Sequence, residues 1–278
     1  MAKKLLALFG LKFSPFSNDV PTESLFRTPR LDEFVWRIQQ QVGEGGFALV
    51  SGEAGTGKSA SLRVLAGELA ELRDVTVGVL TRPHASVADF YRELGHLFGV
   101  PLTPHNRWAG ARALREKWIA HVENAGVRPV LFVDEAQETR TSVLSELRLL
   151  ASTELDAQSI LTVVLAGDAR LTARLGTPEL VPLGSRIRAR LRLEHASHED
   201  LRACLTHLMA EAGAPKLMTD ELVVTLVEHA AGNYRVLTTM AGELLHAGAR
   251  REVERLDQGL FVDLFRPEAA PAKKRRRT

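Results

Sequence analysis

Apolar residues along this chain follow two spacings, and the switches between them mark out its elements. From Leu31 to Val42 the positions Leu31, Phe34, Val35, Ile38 and Val42 recur at helical spacing and stop near Gly43. This predicts an amphipathic helix leading into a strand. Short apolar runs then alternate with helical patterns. The expected order is strand Phe47 to Val50, helix Lys58 to Leu72, strand Val75 to Leu80, then helices Val87 to Phe98 and Ala109 to Asn124. Strand Pro129 to Val133, helix Ser142 to Ala151 and strand Ile160 to Ala166 follow. Strands that are apolar throughout and separated by helices predict an α/β fold with a parallel sheet covered on both faces. A short strand at Leu191 to Leu193 is expected to complete it.

Beyond Ala196 the strand signals stop. Three helical patterns follow, around Glu199 to Ala212, Asp220 to Ala231 and Tyr234 to Leu245, with capping-type starts at Ser197-His198-Glu199 and Thr219-Asp220-Glu221. The expected organisation is an N-terminal segment with its helix over residues 1–45, an α/β core over 46–196, a small helical domain over 197–266 and a tail over 267–278.

The composition, 45% hydrophobic and 25% charged, is that of a chain able to bury a core. The tail is the exception, because its Pro/Ala/Lys/Arg run cannot bury one. The net charge of +2 hides an asymmetry: Lys273, Lys274, Arg275, Arg276 and Arg277 supply five positive charges, which leaves about −3 on the rest. Nucleic-acid affinity is therefore expected from the tail or from local arginine clusters. Apolar runs such as Pro129 to Val133 fall far short of the roughly 20 residues that span a bilayer. Lys3-Lys4-Leu5-Leu6-Ala7-Leu8-Phe9 has the look of a signal peptide, but the apolar stretch is brief and Gly10, Lys12 and Pro15 follow with no small-residue cleavage site. A cytoplasmic protein without a membrane segment is the expectation. The one cysteine, Cys204, forms no internal disulfide and reads as a small core residue.

The chemistry is concentrated in two places. Gly52-Glu53-Ala54-Gly55-Thr56-Gly57-Lys58-Ser59 matches G-x-x-x-x-G-K-[ST], with an apolar strand before it and a helical pattern after it. Glycines let successive backbone N–H groups converge on phosphate oxygens, and the following helix turns its positive end to the same anion. Lys58 is placed to reach the β- and γ-phosphates of ATP, and Ser59 to ligate Mg²⁺. Farther on, the strand Val130-Leu131-Phe132-Val133 ends in Asp134 and Glu135. Asp134 suits the metal, and Glu135 suits the attacking water as orienter or base, which points to hydrolysis.

With these motifs the chain resembles an AAA+ ATPase, and within that class the branch that holds the general-secretion ATPase ExeA and the transposition ATPases of the TniB, IstB, MuB and TnsC kind. The resemblance runs from Phe9-Gly10-Leu11 and Pro15-Phe16, through Gly46 to Glu53, to Gly232-Asn233-Tyr234-Arg235. It implies a P-loop AAA+ three-layer sheet with a small C-terminal helical lid. It also implies that Ala166-Gly167-Asp168 ends the sensor-1 strand, where Asn, Gln or Thr is more usual; an Asp there repels phosphate unless water or metal bridges the two. Gly184-Ser185-Arg186-Ile187-Arg188-Ala189-Arg190 resembles the arginine-finger segment, with Arg186 as first choice and Arg190 as second. Such a finger acts across a subunit interface, which implies a homo-oligomer, ring or filament. Arg235 resembles sensor 2, which reports whether ATP or ADP is bound.

Three functions follow from the resemblance. In the first, ATP assembles subunits on duplex DNA and the assembly recruits or activates a transposase. Backbone phosphate contacts would dominate, with little sequence specificity. The tail is one candidate contact, and a short basic run also serves as a solubilising end. Arg82, after the second strand, and Arg107, beside Trp108, are candidates to face a central channel. The alternatives are an ExeA-like ATPase driving secretion or another protein assembly, and a regulatory NTPase switch.

Overall fold

The computed structural model describes residues 2–82, 84–100, 107–153 and 158–265. Its first half runs α1 (Ala2–Phe9), α2 (Pro29–Val42), β1 (Gly46–Gly52), α3 (Lys58–Ala70), β2 (Val75–Leu80), α4 (Val87–Leu97), α5 (Arg107–Ala125), β3 (Arg128–Val133) and a 3-10 turn, Ala136–Glu138. Then come α6 (Thr141–Ala151), β4 (Ser152–Thr153), β5 (Gln158–Ser159), β6 (Thr162–Gly167), α7 (Ala169–Leu175), α8 (Val181–Gly184) and β7 (Ile187–Leu193). The chain closes with α9 (His198–Glu211), α10 (Asp220–Ala230), α11 (Tyr234–Arg251) and α12 (Gln258–Phe265). These elements form two compact units. One is Leu25–His195; the other joins the described residues before Leu25 to those from Ala196 to Phe265.

The first unit is built on a parallel sheet in the order β2-β3-β6-β1-β7. Its central strands β1, β3 and β6 read as largely apolar runs because each sends alternate residues into two different cores. Phe47, Leu49, Leu131, Val133, Val163 and Leu165 join α4, α5 and α6 residues such as Phe90, Trp118 and Leu147 on one face. Ala48, Val50, Val130, Phe132, Val164 and Ala166 join α2 and α3 residues such as Phe34, Ile38 and Leu65 on the other. With both faces covered, no polar alternation survives along these strands. Helix α2 starts on Thr28, whose side chain accepts from the Leu31 N–H at 3.3 Å, with Pro29 in the first turn where it sacrifices no helical hydrogen bond.

Strand β7 differs from expectation. It spans Ile187–Leu193 rather than the last three residues alone, and pairs with β1 as the outermost strand. Exposed Arg188, Arg190 and Arg192 alternate with buried Ile187, Ala189 and Leu191. That alternation belongs to an edge strand covered on one side, and beside the long apolar runs of β1, β3 and β6 it does not stand out as a strand. A register shift between Phe47 and Ala48 places Arg188 at an irregularity, where it pairs with Glu44 at 2.8 Å.

The second unit is helical. Leu5 and Leu11 pack into a core with Leu201, Leu205, Leu222, Leu226, Leu237, Leu244 and Phe261. The expected caps are present: Ser197 makes a reciprocal capping box with Asp200, and Thr219 accepts from the Leu222 N–H at 3.3 Å. Cys204 is buried here, and burial pushes its thiol up to about 12, so it stays a neutral core group. Among the described residues, no helix is long and apolar enough to cross a membrane.

Candidate functional site

Strands β1, β6 and β3 are adjacent and parallel, so their C-terminal ends open on one edge of the sheet. That edge is where open α/β sheets carry their ligands. The Gly52–Ser59 loop leaves β1, the Asp134-Glu135 pair leaves β3 and Asp168 leaves β6. Three segments separated by tens of residues thereby converge.

The loop is built as its composition demands. Gly55 and Gly57 hold φ values of 83° and 100°, a region that side-chain-bearing residues rarely occupy. Thr56 is buried, and its hydroxyl donates to the Glu53 carbonyl at 2.8 Å. Helix α3 starts directly on Gly57, so its first N–H groups face the space that the loop encloses. Glu53 and Ala54 are exposed on the outer turn. Lys58 is buried and donates to the Gly52 and Glu53 carbonyls at 2.8 and 3.0 Å. Its ammonium is thus held inside the loop by two backbone carbonyls.

Ser59 donates to Asp134 Oδ2 at 3.2 Å, and the Glu135 N–H donates to Asp134 Oδ1 at 2.8 Å. A hydroxyl and a carboxylate that meet at the loop edge are oxygen ligands of the type Mg²⁺ prefers, so these residues fit that ion. Glu135 is exposed and adopts φ 49°, ψ 40°, the left-handed region, which turns the chain abruptly after the strand. Gln137, two residues on and buried, donates from Nε2 to Glu135 Oε2 and accepts from the Asp168 N–H at 3.3 Å.

Asp168 caps α7, accepting from the Arg170 N–H at 2.9 Å and pairing with the Arg170 guanidinium at 2.8 Å. That guanidinium, helped by the N–H and by the charge on Lys58, holds the Asp168 carboxyl below the usual carboxylate range. The position is therefore anionic, with its charge drawn toward Arg170 and Lys58.

The other expected residues stand on other elements. Arg186 is half-buried and donates to the Pro182 carbonyl, while Arg190 is exposed on β7 and donates to the Gly184 carbonyl at 3.1 Å. Arg235 belongs to the helical unit and is exposed in the first turn of α11. There Asn233 Oδ1 caps the helix by accepting from the Arg235 and Val236 N–H groups at 2.9 and 3.1 Å. Arg82 is exposed just past β2. Arg107 begins α5, but its side chain, like that of Trp108, lies outside the described residues, as does the whole Lys273 to Arg277 run.

Sequence reasoning missed Gln137 and Arg174. Arg174 donates to the Gln137 carbonyl at 2.5 Å, to the Thr139 carbonyl at 2.8 Å and to Thr141 Oγ1 at 3.1 Å, which fixes the turn after Glu135. The available signal was faint: an amide directly after Glu135-Ala136, next to an apolar strand.

Residues 40–175, which include the loop, both acids and Asp168, match the family model described as AAA domain. That match spans just under half of the chain. Over 257 residues the chain is 30% identical to the general secretion pathway protein A of Aeromonas hydrophila, covering 90% of this chain and 46% of that one. It thus spans a little under half the length of that relative. The fold recurs in solved structures. Cdc6p of Pyrobaculum aerophilum superposes with a TM-score of 0.70 at 15% identity, over 87% of this chain and 67% of that one. A Drosophila ORC structure bound to DNA gives 0.66 at 21% identity, over 94% and 64%. The RuvB Holliday junction branch migration motor of Thermotoga maritima gives 0.55 at 16% identity, over 90% and 71%. The region that matches the AAA model thus lies in a fold shared with these structures.

Proposed function

We propose that this chain hydrolyses ATP and uses the ATP-bound state to assemble on duplex DNA. The observation that carries the catalytic part is the meeting of Ser59 and Asp134 at 3.2 Å with Glu135 beside them, at the mouth of the phosphate loop. In this reading the loop N–H groups and the start of α3 cradle the phosphates, and Lys58 exchanges its two carbonyl partners for β- and γ-phosphate oxygens. Ser59 and Asp134 would hold Mg²⁺, which neutralises charge on the phosphates when bound. Glu135 orients water for in-line attack on the γ-phosphorus and takes its proton as the bond to the β-phosphate oxygen breaks. The negative charge of Asp168, turned toward Arg170, disfavours direct contact with the γ-phosphate. Arg186, and after it Arg190, is the candidate finger offered to a neighbouring copy; Arg235 is the candidate nucleotide reporter.

For the wider role, the reading is a DNA-transposition ATPase whose oligomer recruits or activates a transposase. Its supports are the DNA-bound ORC structure of the same fold and the basic run Lys273 to Arg277. A second reading, an ATPase that drives a secretion or other protein-assembly machine, is favoured by the 30% identity to the Aeromonas protein. The test has two parts. Phosphate release should be Mg²⁺-dependent and fall about 10²- to 10⁴-fold in Glu135→Gln, the range of a positioned general base. Negative-stain microscopy and duplex binding with ATP, ADP and a slowly hydrolysed analogue should then give rings or filaments on DNA only with ATP or the analogue. Oligomers that form with ATP and ignore DNA would move the assignment to the protein-assembly reading. A chain that binds ATP and never turns it over would be a switch.

A further inference from the structure

Gln137 sits in the turn after the acidic strand end, with only 7% of its surface exposed. An amide this deep needs partners for both of its ends. Its partners fix which end is which, since the Glu135 carboxylate only accepts and the Asp168 backbone N–H only donates. Nε2 therefore points at Glu135 Oε2, and Oε1 at the end of β6, where it accepts at 3.3 Å. The approach depends on Gly167, because a Cβ there would stand 2.5 Å from Gln137 Oε1. The main chain of the turn is pinned by Arg174 at the Gln137 and Thr139 carbonyls. Glu135, in the left-handed region, is thus braced on its backbone by Asp134 and on its side chain by Gln137.

We propose that Gln137 is a positioning residue for the hydrolysis assigned to Glu135. It clamps one carboxylate oxygen to the end of β6, and so leaves the other aimed at the attacking water. A carboxylate on a flexible stem samples several rotamers, and only a few place an oxygen on that water. One charge-assisted hydrogen bond from a buried, pinned amide narrows the choice. This inference rests on the ATPase reading above.

Gln137→Glu tests it, because the variant keeps the size and the acceptor for the Asp168 N–H. It loses the donor to Glu135 and sets a second carboxylate beside it. The expected result is a fall in kcat of about tenfold or more, with KM for ATP and ADP affinity within about twofold of wild type. On a Glu135→Gln background, followed by single turnover, the same change should add no further loss, because two residues acting as a unit are not additive. Should Gln137→Glu lower the melting temperature, Gln137→Met gives the same readouts without the added charge. A wild-type kcat in both variants would overturn the inference, as would a loss that persists undiminished on the Glu135→Gln background. A wild-type chain without turnover would instead overturn the ATPase reading, and this inference with it.

Discussion

At the scale of single residues, the site combines groups that the sequence pattern identifies with groups that it does not. Lys58 illustrates the first kind. A buried ammonium held by two loop carbonyls is already desolvated, and under the proposed function it exchanges them for phosphate oxygens, acceptors that are themselves charged. Each such bond contributes about 1.5–3 kcal/mol. Lys58→Ala should therefore weaken ATP binding by at least about 10- to 100-fold per bond lost, read by titration with a fluorescent nucleotide. Unchanged affinity would remove Lys58 from the phosphate site. Gln137 and Arg174 illustrate the second kind. An amide and a guanidinium carry no motif of their own, and their importance lies in what they touch: Glu135 Oε2, the Asp168 N–H and the carbonyls of an intervening turn.

At the scale of elements, local rules and tertiary environment each determined part of the outcome. The buried strands were legible because apolar residues on both faces leave a distinctive run, as in Val130 to Val133 and Val163 to Ala166. β7 was legible only in its last residues, because an edge strand carrying Arg188, Arg190 and Arg192 resembles a basic loop until its neighbour β1 is known. Helix starts in the second unit followed their caps. Ser197 satisfies the Asp200 N–H at 3.0 Å while Asp200 reaches back to the Ser197 N–H. Ser197→Ala should cost about 1 kcal/mol, seen as a lower denaturation midpoint of the helical unit. A change of no more than a few tenths would mean that packing alone sets the α9 start. Gly232-Asn233-Tyr234-Arg235, which entered through family resemblance, also has a local reason: Gly232 turns at φ 82° and Asn233 caps α11.

At the scale of the whole molecule, the first helix and the helices after Ala196 meet in one unit. Leu5 and Leu11 are buried among residues more than 180 positions away, so the described residues before Leu25 belong with the helices after Ala196. The basic run beyond Pro267 carries the one strong charge asymmetry in the chain. Truncation at Pro267 should weaken duplex-DNA or partner binding and flatten its salt dependence, while ATP turnover persists. Loss of turnover would instead assign the tail a structural role. By itself the sequence determined the phosphate loop, the acidic strand end, the α/β alternation and most helix caps, because each depends on spacing, residue type or backbone freedom within a few neighbours. Only the tertiary structure decided that β6 lies between β1 and β3, that α1 joins the helical unit and that β7 closes the sheet edge. It alone placed Gln137 between Glu135 and Asp168. Strand order and long-range side-chain pairing depend on contacts between segments far apart in the chain, and no local pattern records which of them will meet.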